Sequence, residues 1–350
     1  MTAQGTSGVP RLTLAGDVPG ATRLEAARWA VGETAETGRS PLPDPREDQP
    51  WLMLRSGALL TDSHLDVQPY GFRLLSGSTR VSAAAAEQLD AEAEAFVLAA
   101  RLESGTGSPP AVTVTLWGPV TLAARLSSPL GERLVADPGA VRHLGEALAD
   151  GVRSWRERMR QAHGLEIEPV LREDSLDDAL DGRLPTASGF RRHRPLGEDV
   201  LRSVFAPWKA AGLGGVLTGV RRPSRAAAAG TAAGASAAEL VRAGDRWAPS
   251  DVERTEALAE AGLGALLAVD PGRPADGREL AQAVETAGAS EEDRARLGLW
   301  CPPGLRRLGA AQGAAAAAEN VAMLRSLGES FPGSARERTP RMDSISSTER

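Results

Sequence analysis

Short apolar runs alternate with longer alanine- and leucine-rich segments along most of the chain. The short runs have the length of β-strands, and the longer segments have the length of helices. The candidate strands are Leu12–Ala15, Trp51–Leu54, Val112–Leu116, Ile167–Leu171, Val216–Leu217, Leu266–Val269 and Leu297–Trp300. Because enough residues for a helix separate each candidate from the next, the pattern predicts a mostly parallel sheet with helices outside it.

Three segments carry clear helix signals. Leu24–Glu36 has apolar residues at helical spacing, and Val81–Leu102 has a helical composition with Ser82 as its predicted N-cap. Asp137 precedes Pro138 in the arrangement of an N-cap followed by a proline at the first helical position. That third helix is predicted to run to about His163.

Two architectures fit such an alternation, a (β/α)8 barrel and an open doubly wound sheet. The first candidate strand is followed by Gly16–Gly20, which is not the Gly-x-Gly-x-x-Gly fingerprint of dinucleotide-binding sheets. The chain length suits a barrel with insertions. We therefore predict the α/β class, as a single-domain (β/α)8 TIM-type barrel over residues 10–328.

The remaining segments have loop-like or low-complexity composition. Residues 1–9 are predicted to be a flexible N-terminus, and residues 329–350 a disordered C-terminal tail. Thr37–Gln49 is rich in proline and charge, which predicts a surface loop. Arg225–Ala238 is mostly alanine and glycine and is interpreted as either a loose helix or a low-complexity insertion.

Charge and cysteine content narrow the class of protein. The formal net charge is −6, and the sequence has no block of like charge, which argues against nucleic acid or an acidic membrane surface as the main partner. One cysteine, Cys301, allows no intramolecular disulfide, so a reducing cytoplasm is expected. No apolar run is long enough for a transmembrane helix. The oligomeric state stays open.

Several segments, in the same order along the chain, resemble the cobalamin-independent methionine synthase family. Gly118–Ala123 reads Gly-Pro-Val-Thr-Leu-Ala and matches a family motif at every position. The other similar segments are Gly16–Gly20, Ala58–Asp62, Pro69–Leu74, Asp137–Val141, Glu173–Leu184 and Pro302–Leu305. The resemblance covers roughly residues 10–328.

The resemblance implies a TIM-type barrel related to uroporphyrinogen decarboxylases. Active members of the family transfer a methyl group from a methylated folate, or another donor, to a thiol such as homocysteine, in methionine biosynthesis. Their zinc ion deprotonates the thiol, whose pKa is otherwise near 8.5. The family role of Glu173 would be to hold a substrate amine. Asp17 and Gly118 are predicted as further substrate-binding residues, and Trp117 could line the ligand pocket or pack in the core.

The positions that should bind zinc hold no zinc ligands. The family's His-x-Cys strand falls at Val216–Val220, with Thr218 in place of histidine and Val220 in place of cysteine. Pro303 occupies the second cysteine position, and Cys301 lies two residues earlier. Because a catalytic zinc needs about three protein ligands, we predict no metal and no cofactor, and we assign no catalytic residue.

Other polar groups admit two interpretations each. Asp62, His64 and Asp66 could form a metal-binding face of one strand or lie on a solvated surface. The basic run around His193 could hold a phosphate or a folate tail, or form an exposed loop. Cys301 could be a ligand or nucleophile, or an inert buried residue. Glu173 and Asp174, with two further aspartates, could hold an amine or begin an exposed helix.

Three functions remain open from the sequence. The first is a divergent methyltransferase with a rebuilt site. The second is a catalytically silent barrel that binds a small ligand or a partner protein. The third is a metal-free enzyme similar to uroporphyrinogen decarboxylase, in which Arg23, Arg172 and Arg191 would bind an acidic substrate. Whether the protein is an enzyme is therefore left undecided.

Overall fold

A computed structural model describes residues 11–34, 39–44, 50–104, 111–240, 246–268, 276–287 and 297–301. Its strands are β1 (Arg11–Leu14), β2 (Arg39–Pro41), β3 (His64–Gln68), β4 (Gly71–Leu75), β5 (Ala111–Trp117), β6 (Leu126–Ser127), β7 (Ile167–Arg172), β8 (Val216–Thr218), β9 (Ala237–Leu240), β10 (Gly264–Ala268) and β11 (Leu297–Cys301). Its helices are α1 (Arg23–Thr34), α2 (Pro50–Ala58), α3 (Arg80–Ser104), α4 (Pro119–Arg125), α5 (Pro138–His163), α6 (Leu176–Leu180), α7 (Glu198–Ala210), α8 (Pro223–Ala233), α9 (Pro249–Glu253), α10 (Glu256–Glu260) and α11 (Asp276–Thr286).

Eight of the strands form one parallel sheet in the order β1-β11-β10-β9-β8-β7-β5-β2. From β11 to β2, each strand lies beside its neighbour in chain order without a reversal, and β1, the first of the eight, pairs with β11, the last. An open doubly wound sheet reverses its strand order part-way, so that alternative is excluded. The predicted α/β class with a parallel sheet is confirmed.

The two ends of this sheet approach each other. β1 and β2 are at opposite ends of the strand order, yet they contact one another. Just beyond them, the N–H of Asp44 donates to the carbonyl oxygen of Gly16. This contact requires the sheet to curl. No β-ladder joins β1 to β2 in the described ranges, so the structure establishes a curled parallel sheet similar to a TIM barrel.

The sheet has two distinct faces. A large apolar core lies between the outer face and the helices, and it includes Leu116, Leu171 and Leu217. A separate small cluster, which includes Val170 and Val216, lies on the opposite face. Alternate residues of one strand therefore supply the two layers, as the two-residue period of a strand requires.

Helix α5 begins and ends where the sequence predicts. The Asp137 side chain accepts a hydrogen bond from the N–H of Gly139 at 2.8 Å, and Pro138 is the first helical residue. The helix ends at His163, and Gly164 follows in the left-handed region with φ of 66°. Glycine adopts that conformation without the steric cost of a Cβ.

The assignment of Trp51–Leu54 as a strand is wrong, because these residues begin α2. Trp51, Leu52 and Met53 are all buried, so the segment lacks the polar face that would reveal a helical period. The Ser82 N-cap is also wrong. Thr79 caps α3 by accepting the N–H of Ser82 at 3.1 Å, whereas the Ser82 hydroxyl accepts from Leu65 on β3.

Two of the sheet strands fall in segments predicted to be loop or low-complexity. The loop interpretation of Thr37–Gln49 is wrong at Arg39–Pro41, which form β2 and pair with β5. The predicted surface position is also wrong at Ser40 and Leu42, which are buried. Within Arg225–Ala238, most of the segment belongs to α8, and its last two residues begin β9. The predicted terminal segments, 1–9 and 329–350, lie outside the described residues.

A smaller sheet is inserted into the helical layers. β3 and β4 form an antiparallel hairpin, and β4 pairs with β6 in parallel. Because β6 directly follows α4, the hairpin lies against the segment that leaves the carboxyl end of β5. Among the helices that the structure describes, none has both the length and the apolar character needed to cross a bilayer.

Candidate functional site

Polar side chains lie on the inner face of the sheet near the carboxyl ends of three strands, and a tryptophan on a fourth strand lies beside them. The inner apolar cluster includes Val170, Val216 and Ala237. Residues two positions further along a strand face the same side. These next inner positions hold Arg172 on β7, Thr218 on β8 and Glu239 on β9, and Trp117 of β5 aligns with Arg172. In TIM barrels, which this curled sheet resembles, ligands bind at the carboxyl ends of the strands.

Glu173 follows β7 directly and is fully buried. Its carboxylate accepts hydrogen bonds from the N–H of Val120 at 3.1 Å, the N–H of Thr121 at 2.8 Å and the Thr121 hydroxyl at 2.7 Å. Burial raises the pKa of Glu173 to about 7, although the three hydrogen bonds act to lower it. Glu173 therefore ties the loop after β7 to the first turn of α4.

Gly118 permits this arrangement. A Cβ added at Gly118 would lie 2.3 Å from Oε1 of Glu173 and 2.4 Å from its Cδ. No side chain fits in that space unless the carboxylate moves. The Gly118-Pro119 step thus ends β5 and begins α4 while leaving room for Glu173, which gives the motif a structural reason for its glycine.

Trp117 is covered by two arginines. The guanidinium carbon of Arg125 lies 4.2 Å from the centre of the indole ring, and that of Arg172 lies 4.9 Å from it. Both distances are within the range of cation–π attraction. Trp117 itself is buried, so the guanidinium groups rather than the ring present the outer surface of this part of the site.

Asp174 connects Arg172 to the end of β8. Its carboxylate pairs with the Arg172 guanidinium at 2.8 Å. It also lies close to Gly219, where an added Cβ would be 2.3 Å from Oδ1 of Asp174. Gly219 has φ of 83°, a conformation that favours glycine. The backbone after β8 is therefore shaped to accept an acidic side chain from the neighbouring strand.

Glu239 is a buried carboxyl group that the sequence interpretation missed. The N–H of Gly219 donates to its Oε2 at 2.5 Å. Burial raises the pKa of Glu239 to about 7, whereas the Gly219 hydrogen bond and the positive charge of Arg172 oppose the rise. A single carboxylate within the otherwise apolar Ala237–Leu240 was the available signal, and the surrounding alanines concealed it.

Comparisons with known proteins establish the fold. A B12-independent methionine synthase from Shewanella sp. W3-18-1, solved in complex with selenomethionine, is similar in structure with a TM-score of 0.54. The two chains are 10% identical, and the match covers 92% of this chain and 98% of the other. No protein-family model matches the sequence, and no curated protein matches it either. The likeness supports a distant structural relationship to methionine synthases.

The residues at the expected zinc positions do not fit a zinc ion. Thr218 is buried, and its hydroxyl donates to the carbonyl oxygen of Leu171 at 3.4 Å. Val220 is buried in the apolar core. Pro303, like all of Pro302–Leu305, lies outside the described residues. Among the described residues, no three His, Cys, Asp or Glu side chains are grouped so that they could hold a metal ion.

Of the four sequence-predicted binding residues, the structure brings Trp117, Gly118 and Glu173 together. Asp17 lies half-buried in the loop after β1, at the carboxyl end of that strand. Arg125 was missed. It is the last residue of α4, and the path of that short helix places its guanidinium over the Trp117 ring.

The other candidate clusters have structural partners. Asp66 accepts from Arg73 at 2.5 Å and from Gln68 at 2.7 Å, within the β3–β4 hairpin. The additional aspartates beyond Asp174 pair with arginines, as Asp177 does with Arg225 at 3.1 Å. These contacts account for both acidic groups without a ligand.

The histidines and remaining arginines lie on other elements. His143 is exposed on α5, and His163 ends the same helix. His193 is buried beside Glu132, with 3.6 Å between them. Arg23 is exposed on α1 and hydrogen-bonds to Gln88, and Arg191 is exposed in the loop before α7. Among the three arginines of the decarboxylase-like hypothesis, Arg172 alone is on the inner face of the sheet.

A further groove lies on the outer surface of the protein. It has a volume of about 960 Å³ and is lined mainly by residues of α7 and α8. Most of its lining side chains are small or apolar, including Leu201 and Ala228. The groove belongs to the outer helical layer and is distinct from the polar layer at the strand ends.

Proposed function

We propose that this protein is a metal-independent, methionine-synthase-like barrel that binds a small molecule at the carboxyl ends of β5, β7, β8 and β9. In this proposal, the curled sheet closes between β1 and β2, and residues 10–328 form one domain. The protein does not methylate thiols by the zinc-dependent route of the family that it resembles.

The proposal rests on the residues at the carboxyl end of β8, where the family resemblance places two zinc ligands. A zinc ion that activates a thiol needs sulfur, imidazole or carboxylate ligands around an open coordination position. Thr218 uses its hydroxyl on the backbone of β7, and Val220 packs into the core. Glu173, the carboxylate to which the family resemblance gives a substrate-binding role, is fully occupied by α4. These residues provide neither the ligands nor the freedom to supply them.

The polar inner layer supports a ligand-binding role. The inside of such a barrel is stable when branched apolar side chains fill it. Here, Arg172 and Glu239 replace them at the open end, where burial of charge costs free energy. Departures of this kind from an apolar interior are expected at functional sites. The inner side of a curled sheet is concave, and concave sites suit small molecules better than they suit the flat surface of a partner protein.

A thiol-methylation assay tests the proposal. Purified protein is incubated with zinc, homocysteine and a methylated folate, and methionine is quantified, with a B12-independent methionine synthase as the positive control. We expect no methionine above the rate without protein, because thiolate activation is absent and every 1.4 kcal/mol of barrier lowers the rate about tenfold. Sustained turnover that a zinc chelator abolishes would refute the proposal.

A further inference from the structure

The arginines above Trp117 form a concentrated positive cluster. Arg125 and Arg172 share one indole ring, at 4.2 and 4.9 Å from its centre. A third arginine, Arg133, donates to the carbonyl oxygen of Arg125 at 2.6 Å. Like charges repel at such separations, so the arrangement is favourable only with compensating negative charge.

The described residues provide little of that compensation. Arg172 pairs with Asp174, but no described residue accepts a hydrogen bond from the Arg125 guanidinium, and its Nε is buried. Burial lowers the pKa of Arg125. Asp174 acts in the opposite direction, and Arg172 and Arg133 reinforce the lowering. The guanidinium of Arg125 is thus held in a place that disfavours its own charge.

The nearby glutamates are engaged elsewhere. The Glu173 carboxylate is directed at the first turn of α4, and the Glu239 carboxylate accepts from Gly219. Asp174 is the one described carboxylate that pairs directly with Arg125 or Arg172, and it pairs with Arg172. Burial disfavours the charged form of Glu239, so positive charge exceeds negative charge around Arg125 and Arg172. An incoming anion would supply both the missing charge and the missing hydrogen-bond acceptor.

We propose that Arg125 and Arg172, stacked on Trp117, bind an oxyanion of the ligand, either a carboxylate or a phosphate. This inference rests on the proposed small-molecule function and names the chemical class of the ligand. Guanidinium groups present paired N–H donors that match carboxylate and phosphate oxygens. Stacking on the indole ring of Trp117 orients the two guanidinium groups before the ligand binds. The Arg172 and Asp174 side chains are 18% and 29% exposed, so an anion can reach them from solvent.

The test measures anion binding directly, without any catalytic assay. Inorganic phosphate and succinate are titrated separately into the purified full-length protein by calorimetry, with sodium chloride at matched ionic strength as the blank. We expect saturable binding of at least one anion, and the responding anion identifies the class. Arg125→Gln should weaken that binding at least about tenfold, because a charge-assisted contact is lost. Arg160→Gln, at an exposed arginine of α5 paired with Glu157, should leave it unchanged.

A second variant keeps the test decisive if Arg125→Gln folds poorly. Arg125→Lys retains the charge but lacks the planar fork, so it should bind the anion several-fold more weakly than wild type. The proposal is overturned if neither anion binds, or if Arg125→Gln and Arg125→Lys bind as tightly as wild type. The calorimetry uses no thiol or methyl donor, so a negative result here would not decide the outcome of the thiol-methylation assay.

Discussion

Alanine at position 118 is expected to destabilise the folded protein by about 3 kcal/mol, at the upper end of the usual cost of overpacking a core. The added Cβ would approach the Glu173 carboxylate to 2.3 Å. Glu173 cannot move aside without losing three hydrogen bonds in a buried site. Chemical denaturation monitored by circular dichroism measures the free energy of unfolding of Gly118→Ala against wild type.

The matched control is Gly32→Ala, since a Cβ there meets nothing within 4 Å. Gly32 lies inside α1, so alanine should stabilise the protein by up to about 1 kcal/mol. A double-mutant cycle with Glu173→Ala isolates the clash: the cost of Gly118→Ala should fall when the larger side chain is absent. Equal costs of Gly118→Ala with and without Glu173 would contradict this account of the motif.

Glu239→Gln is expected to change how stability depends on pH. The pKa of Glu239 is raised from 4.5 to about 7 in the folded protein. The neutral form therefore contributes stability that is complete below about pH 4.5 and is lost as the pH rises through 7. Between pH 5 and pH 8, wild type should lose about 2–3 kcal/mol relative to Glu239→Gln, which does not ionise.

Denaturant titrations of both proteins at several pH values within this window provide the test. Glu146→Gln, which removes a carboxylate from an exposed position on α5, controls for the change in net charge. Parallel stability curves for wild type and Glu239→Gln between pH 5 and pH 8 would show that Glu239 is already ionised in the folded protein. In that case, the negative charge of Glu239 would offset the positive charge of Arg172, and the argument for a bound external anion would be weaker.

The sequence predicts the longer elements well. β5 and β7 are recognisable because each has six or seven residues with apolar side chains at alternate positions. β2 has only three residues, and two of its side chains, Arg39 and Ser40, are polar, so the length and hydrophobicity needed for a prediction are absent. Helix α2 was misread for the opposite reason, since nearly every side chain in it is buried.

The candidate site was only partly accessible to the same reasoning. Trp117, Gly118 and Glu173 lie within or beside motifs that resemble a known family. Arg125 lies just beyond the Gly118–Ala123 motif and Glu239 lies far from any motif, and both come near Arg172 only through strand register and the path of α4. Contacts between residues far apart in the chain depend on the tertiary fold, which local patterns do not encode.

The fold by itself does not assign the chemistry. TIM-type barrels host many unrelated reactions, and function depends on the groups at the strand ends. The chain shares its overall structure with a methionine synthase at 10% identity, yet the β8 end carries a hydroxyl and an isopropyl group where the family resemblance calls for imidazole and thiolate. Near these strand ends, the structure brings together the guanidinium groups of Arg125 and Arg172 and the buried carboxyls of Glu173 and Glu239.

The most direct test of the account is the zinc content of the purified protein after incubation with excess zinc and exhaustive dialysis, measured by plasma mass spectrometry. The account predicts far less than one zinc per chain, because Thr218, Val220 and Pro303 are not zinc ligands. Retention of one zinc per chain, lost in the Cys301→Ser variant, would contradict it.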